Sequence, residues 1–199
     1  MEIELVDWLQ AVQHELELRQ WRSESGGRTK HIVITQEFED FAPQIIKWYM
    51  LNRDNESYRM WHPAHKYFQW EDKRVGVGAT WIGWEKINGS MGAYRMRLVP
   101  GEMSPIQPTS KISMVSAVID VNDEPLFYIL NEMVILDKKT QVKITFAFPE
   151  STPKEYIDAH TKHALEEFPN MIHKAIPWFI QKTFGYLPTQ EELLELISQ

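Results

Sequence analysis

Apolar residues recur at helical spacing from the start of the chain. Ile3, Leu5, Val6, Trp8, Leu9, Val12 and Leu16 predict an amphipathic helix that runs to about Arg22. The stretch Ser23-Glu24-Ser25-Gly26-Gly27 then reads as a flexible break. A β-branched run, His31-Ile32-Val33-Ile34-Thr35, predicts a short strand. Phe38 to about Asn52 predicts a second helix, with Phe41, Ile45, Trp48 and Tyr49 near one face. Residues 1–55 are thus expected to form an N-terminal helical arm or cap.

From Val75 onward the pattern changes to strands. Ala79 to Ile87 alternates, with Trp81, Gly83 and Glu85 on one face and Ile82 and Trp84 on the other. Gly89 and Gly92 supply a turn before a strand from Ala93 to Val99, and Pro100 to Pro108 is a loop. Three further strands are predicted at Ile112–Val121, Leu126–Leu136 and Gln141–Phe148, the last two joined by a turn at Asp137-Lys138-Lys139-Thr140. Helical spacing resumes from Thr152 to about Phe184, where Pro169 and Pro177 should kink or divide the helix. Thr189-x-x-Glu192 is a capping box that opens a last short helix. Consecutive strands followed by a long helix predict an α+β fold. The arrangement suits a helix-grip (START-like) fold, an antiparallel sheet curled around a long C-terminal helix and enclosing a cavity. One domain spans 1–199, with the helix-grip core at 56–186 and the final helix at 187–199.

Composition narrows the class of function. A chain of 199 residues with 43% hydrophobic and 12% aromatic content can bury one good core. The absence of cysteine removes thiolate metal sites, disulfides and cysteine nucleophiles. A net charge of -7 argues against nucleic acid as a partner. No window is long and apolar enough to span a membrane, and Met1-Glu2-Ile3-Glu4 lacks signal-peptide form, so a cytoplasmic protein is the expectation.

Candidate chemistry lies in two distant histidine clusters and a lone carboxylate. These are Trp61-His62-Pro63-Ala64-His65, His160-x-x-His163-x-x-x-Glu167, and Glu85 between them. Histidine and carboxylate together suit a borderline metal such as zinc, and also iron, cobalt or manganese. His163 and Glu167 lie about 40° apart around a helix, so both can reach one ion. They equally suit a solvated i,i+4 pair, and His160 shares their stripe. His62 and His65 flank Pro63 in a turn or extended segment, where packing or hydrogen bonding is the plainer role. Glu85 among Trp81, Ile82, Trp84 and Ile87 is costly to bury without a partner; the alternative is an open strand face.

The run Tyr58-Arg59-Met60-Trp61-His62-Pro63-Ala64-His65 resembles a signature of the diacetylphloroglucinol hydrolase and phloretin hydrolase family, with spacing one residue shorter. Trp84-Glu85-Lys86-Ile87-Asn88-Gly89 is similar to that family's glutamate on a strand before a small-residue turn. His163-Ala164-Leu165-Glu166-Glu167-Phe168-Pro169-Asn170-Met171 resembles its histidine-x-x-x-glutamate pair, and Ile176-Pro177 its leucine-proline. The resemblance covers about Tyr58 to Pro177. It implies zinc held by His65, Glu85, His163 and Glu167, and hydrolysis of a carbon–carbon bond between an acyl group and a polyhydroxylated aromatic ring. Zinc would serve as Lewis acid or lower the pKa of a water. Tyr58 matches a substrate-contacting tyrosine, and Trp61, Trp81 and Trp84 are walls for a flat substrate or plain core.

The chain departs from that family in length and in its acid. The family is longer and uses a further histidine from a late strand. Leu126 to Phe148 contains no histidine; Asn131 and Glu132 stand where it is sought, and His62 is the candidate replacement. Three functions therefore remain open: a zinc hydrolase of acylated phenolic ketones, a non-catalytic helix-grip protein that binds an aromatic or hydrophobic molecule, and an interaction protein. The apolar stripe of the first helix needs a partner, and a homodimer through it is the expectation.

Overall fold

The computed structural model describes residues 4–73 and 76–198. Ile3, at the head of the first apolar stripe, Val75, where the strand pattern begins, and the terminal Met1, Glu2 and Gln199 lie outside the described residues. Among the described residues there are six α-helices, α1 (Leu5–Ser25), α2 (Pro43–Asn52), α3 (Asn55–Trp61), α4 (Lys154–Asn170), α5 (Ile176–Phe184) and α6 (Gln190–Ile197). Seven strands accompany them, β1 (Thr29–Phe38), β2 (His65–Asp72), β3 (Thr80–Ile87), β4 (Ser90–Val99), β5 (Ile112–Ile119), β6 (Pro125–Leu136) and β7 (Lys139–Pro149).

All seven strands pair antiparallel in one sheet, in the order β1-β7-β6-β5-β4-β3-β2. Two tight hairpins set its register. Asn88-Gly89 and Asp137-Lys138 each place two successive residues at positive φ (50° and 82°; 47° and 73°), whose twist matches that of the strands they join. The first two strands in sequence stand at opposite ends of the sheet, and α2 and α3 carry the chain between them. Helix α4 touches both ends: Gln36 Nε2 of β1 donates to the Leu165 carbonyl (3.0 Å), and His62 beside β2 meets Glu166 (3.1 Å). A sheet curled around a long C-terminal helix is the helix-grip arrangement.

Several local expectations shift. α1 continues through Ser23-Glu24-Ser25, because the break needs only Gly26 at φ 56° as its C-cap. The run His31–Thr35 grows into the ten-residue β1, paired along its length with β7, so the segment 1–55 contributes an edge of the sheet as well as helices. α2 starts at Pro43, not Phe38, with the proline in its first turn. Helix α3 and strand β2 had no counterpart in the apolar pattern. The helical path is divided between Pro169, which lies inside α4, and Pro177. A wider turn at Met171–Ala175, closed by the Ile176 N–H on the Met171 carbonyl, links α4 to α5, and Pro177 falls in the first turn of α5 where no N–H is needed. The capping box of α6 is present, with the Glu192 N–H donating to Thr189 Oγ1 (3.3 Å) and the Thr189 N–H to Glu192 Oε2 (2.8 Å).

The core fills the space between sheet and helices, with Ile45, Ile46, Tyr49, Ile144, Phe148, Met171, Ile172 and Ile176 nearly or fully inaccessible. Helix α1 buries Ala11 against Trp84 and Met91, and Leu18 in the main core. Its other face leaves Leu5, Trp8, Leu9, Val12 and Leu16 at least half exposed. No helix among the described residues is long and apolar enough to cross a membrane.

Candidate metal centre

Three elements deliver the donors. Asp54 and Ser57 form a reciprocal cap that starts α3: the Ser57 N–H donates to Asp54 Oδ1 (2.8 Å) and the Asp54 N–H to Ser57 Oγ (3.1 Å). The helix turns Tyr58 and Trp61 inward and ends at His62, and one turn later His65 opens β2. There His65 is the direct cross-strand partner of Glu85 on β3, so the two side chains share a face. On α4 the positions His160, His163, Ala164, Glu167 and Phe168 form one stripe that lines an internal cavity of about 100 Å³.

His65 and His163 meet ring to ring, and Glu85 and Glu167 each approach both imidazoles. His65 Nε2 lies 3.1 Å from His163 Nε2, 3.1 Å from Glu167 Oε2 and 3.7 Å from Glu85 Oε1. His163 Nε2 lies 3.6 Å from Glu85 Oε2 and 3.5 Å from Glu167 Oε2. Nitrogen and oxygen donors at about 2.0–2.2 Å from a tetrahedral zinc stand about 3.3–3.6 Å apart. The separations of 3.1–3.7 Å about the two imidazoles bracket that range, so the triad His65, Glu85 and His163 could hold a zinc-sized ion. The buried triad His65, Glu85 and His163 is a candidate metal-ligand group by itself, and Glu167 lies within 3.1 Å of His65 and 3.5 Å of His163.

Surrounding contacts orient the donors. His65 Nδ1–H donates to the Tyr58 carbonyl (2.9 Å), which leaves the Nε2 lone pair facing the other three groups. The Tyr58 ring stacks on His65 at 4.1 Å, and its hydroxyl donates to Glu85 Oε1. Gly83 makes that contact feasible, since a Cβ there would fall 2.7 Å from the Tyr58 oxygen. Burial sets the charge states. It pushes the His65 imidazole below its ordinary pKa and His163 to about 4, so both rings are neutral at pH 7. It pushes the Glu85 and Glu167 carboxyls up, as expected of desolvated acids without a cation.

The remaining candidates fall elsewhere. Glu85 is 8% exposed, which removes the open-face reading. Tyr58 lines the cavity, with its hydroxyl proton committed to Glu85. His62 stands outside that lining, in a surface cleft on the far side of His163. Its Nδ1 accepts from the Ala64 N–H (3.1 Å) and its Nε2–H meets Glu166. His160 does face the cavity. Its Nδ1–H donates to the Tyr156 carbonyl (2.9 Å), so Nε2 accepts from the Tyr94 hydroxyl (3.0 Å). Asn131 also lines the cavity, whereas the neighbouring Glu132 points to the other face and accepts from Thr109, Ser110 and Lys143. Of Trp61, Trp81 and Trp84, the first two are cavity walls, and Trp84 packs under α1. Two cavity residues carried no signal in the sequence: Tyr94, which alternation places but does not distinguish, and Arg53, a lone cation between α2 and α3.

No family model and no curated protein matches the chain in sequence. Solved structures match in fold. The ginseng major latex-like protein 151 from Panax ginseng is 14% identical with a TM-score of 0.57, covering 76% of this chain and 100% of its own. The Zhui aromatase/cyclase from Streptomyces sp. R1128 is 10% identical with a TM-score of 0.55, over 79% and 98%. Ara h 8.0201 is 8% identical with a TM-score of 0.54, over 74% and 98%. At these identities the likeness is one of fold, and the chain has the helix-grip fold that all three share.

Proposed function

We propose that this chain is a zinc-dependent hydrolase that cleaves the carbon–carbon bond between an acyl group and a polyhydroxylated aromatic ring. The observation that carries the reading is the four-donor cluster on the wall of an aromatic cavity: Glu85, His163 and Glu167 all line it, alongside Trp61, Trp70 and Trp81. Bound zinc would supply Lewis acidity and a water of lowered pKa. In the net reaction water adds to the acyl carbon, the acyl–ring bond breaks, and the ring carbon takes a proton. The products are a carboxylic acid and the deacylated ring.

The chain's own groups divide the remaining work. Tyr58 holds Glu85, and its carbonyl holds the His65 ring. The aromatic walls exclude bulk water and favour a flat substrate. Outside the four donors and Tyr58, the lining carries Arg53, Tyr94, Ser116, Asn131 and His160, and the Tyr94 hydroxyl beside His160 is the proposed source of the proton for the ring carbon. Burial raises the Tyr94 phenol well above its ordinary pKa, so it keeps its proton until a carbanion develops beside it.

Metal content by plasma mass spectrometry, on protein purified without a metal-affinity tag, and turnover of an acylphloroglucinol test the proposal together. About one zinc per chain and release of the deacylated ring are expected, both lost in Glu167→Ala. Tyr94→Phe keeps its metal and loses turnover by about 10²–10⁴-fold. A metal-loaded protein inert on a panel of acyl-phenols overturns the reaction and leaves the second reading, a non-catalytic binder of an aromatic molecule, which the mainly apolar cavity favours. No metal after zinc is added back overturns the metal centre itself.

A further inference from the structure

Arg53 is a buried cation that forms no ion pair among the described residues. It is 5% exposed, it lines the cavity, and the carboxylates whose charge it feels, Glu85 and Glu167, take His65 and His163 as their partners. Its guanidinium sits among four rings, 4.5 Å from the centroid of Phe68, 5.0 Å from Trp81, 5.3 Å from Trp61 and 5.5 Å from Trp70. One nitrogen donates to the Met50 carbonyl, and the buried Nε–H has no acceptor. Main-chain bonds fix its position: the Arg53 N–H donates to the Tyr49 carbonyl (2.8 Å), and its carbonyl accepts from Trp70 Nε1 (3.0 Å). Rings lower the cost of burying the charge but do not accept its in-plane N–H groups. A buried cation that is short of hydrogen bonds and lines a cavity therefore favours an anionic acceptor there.

We propose that Arg53 is the anion-recognising group of the cavity, and that its guanidinium pairs with an anionic oxygen, such as an ionised phenol, on the aromatic molecule bound there. The inference requires that the cavity bind a ligand and is independent of metal and of hydrolysis. It assigns the cavity a preference for acidic phenols over their neutral ethers. It also gives the cavity a polarity: a cation at the α2–α3 junction, with the metal donors on β2, β3 and α4.

Binding of 4-nitrophenolate and of its neutral ether 4-nitroanisole, by isothermal calorimetry at a pH where the phenol is ionised, tests this directly. A charge-assisted bond of this kind corresponds to about a tenfold to hundredfold preference for the phenolate. Arg53→Met should abolish most of that preference and leave 4-nitroanisole affinity within about threefold, because the flexible methionine refills the ring cage. Metal content, measured on the same samples, must be equal in the two proteins, so that phenolate bound by a metal cancels from the comparison. If Arg53→Met does not fold, Arg53→Lys decides: it keeps the charge and loses the planar guanidinium fork, so a clear fall in preference supports the proposal. An undiminished preference in whichever variant folds overturns it, and so does a wild type that binds neither compound. A wild type that holds no metal, yet shows a preference that Arg53→Met removes, overturns the hydrolase reading alone.

Discussion

Zinc should govern the thermal stability of this protein, and Glu167→Gln should reverse its sign of effect depending on whether zinc is present. A ligand that binds only the folded state, held at about a thousandfold above its Kd, stabilises by about 4 kcal/mol. For a chain of 199 residues, each kcal/mol corresponds to about 2–4 °C, so wild type should melt about 8–16 °C higher in zinc than in chelator. Glu167 supplies a donor 3.1 Å from His65 and 3.5 Å from His163, and its amide analogue ligates poorly, so most of that gap should vanish in the variant. In chelator the variant removes one of two desolvated carboxylates whose pKa burial has raised, so it should melt no lower than wild type. Differential scanning calorimetry under both conditions reads the four values. A hydrogen-bonded network that never holds metal gives a different pattern: wild type indifferent to zinc and chelator, and the variant less stable under both. That pattern would refute the reasoning.

Three further predictions concern single contacts. Gly83→Ala sets a methyl 2.7 Å from the Tyr58 oxygen, which is buried and cannot retreat; a loss of about 1–3 kcal/mol in urea unfolding is expected, together with weaker zinc binding. Tyr58→Phe keeps the stacked ring and the carbonyl that holds His65 but removes the donor on Glu85, so zinc affinity measured against a competing chelator should fall about 10–100-fold. Glu132 reports on acid stability: burial works to raise its pKa, but the bonds from Lys143, Thr109 and Ser110 outweigh it and hold the carboxyl at about 2. A depressed carboxyl contributes stability above its unfolded pKa of about 4.5 that is lost as pH falls toward 2. The gap between wild type and Glu132→Gln, about 2–3 kcal/mol at pH 7, should therefore close across that window in urea titrations.

What the chain shows in one dimension is what short-range periodicity encodes. The stripe His160, His163, Glu167 is legible because residues three and four apart on one helix return to one face, and the capping box at Thr189 because it closes within three residues. Alternation in β3 likewise separates Trp81 and Glu85 from Ile82 and Trp84, and the structure keeps that division, one pair on the cavity and the other away from it. No local pattern says which face is closed. Glu85 is buried because β2 pairs with β3 in a register that sets His65 opposite it, and because α4 caps both. The same limit explains β1, whose apolar run reads as part of an arm until β7 is found beside it, and Glu132, which one step of pleat turns away from the cavity that Asn131 faces. Arg53 is the extreme case: one arginine after an apolar helix carries no signal, and only the closing of four rings around it makes it an unpaired charge. Sequence alone determined which residues share a helix face or strand face, because those relations are set by backbone geometry over a few residues. Only the tertiary structure decided which faces meet, and so which polar groups lost water and need a partner, because desolvation depends on what packs from far along the chain.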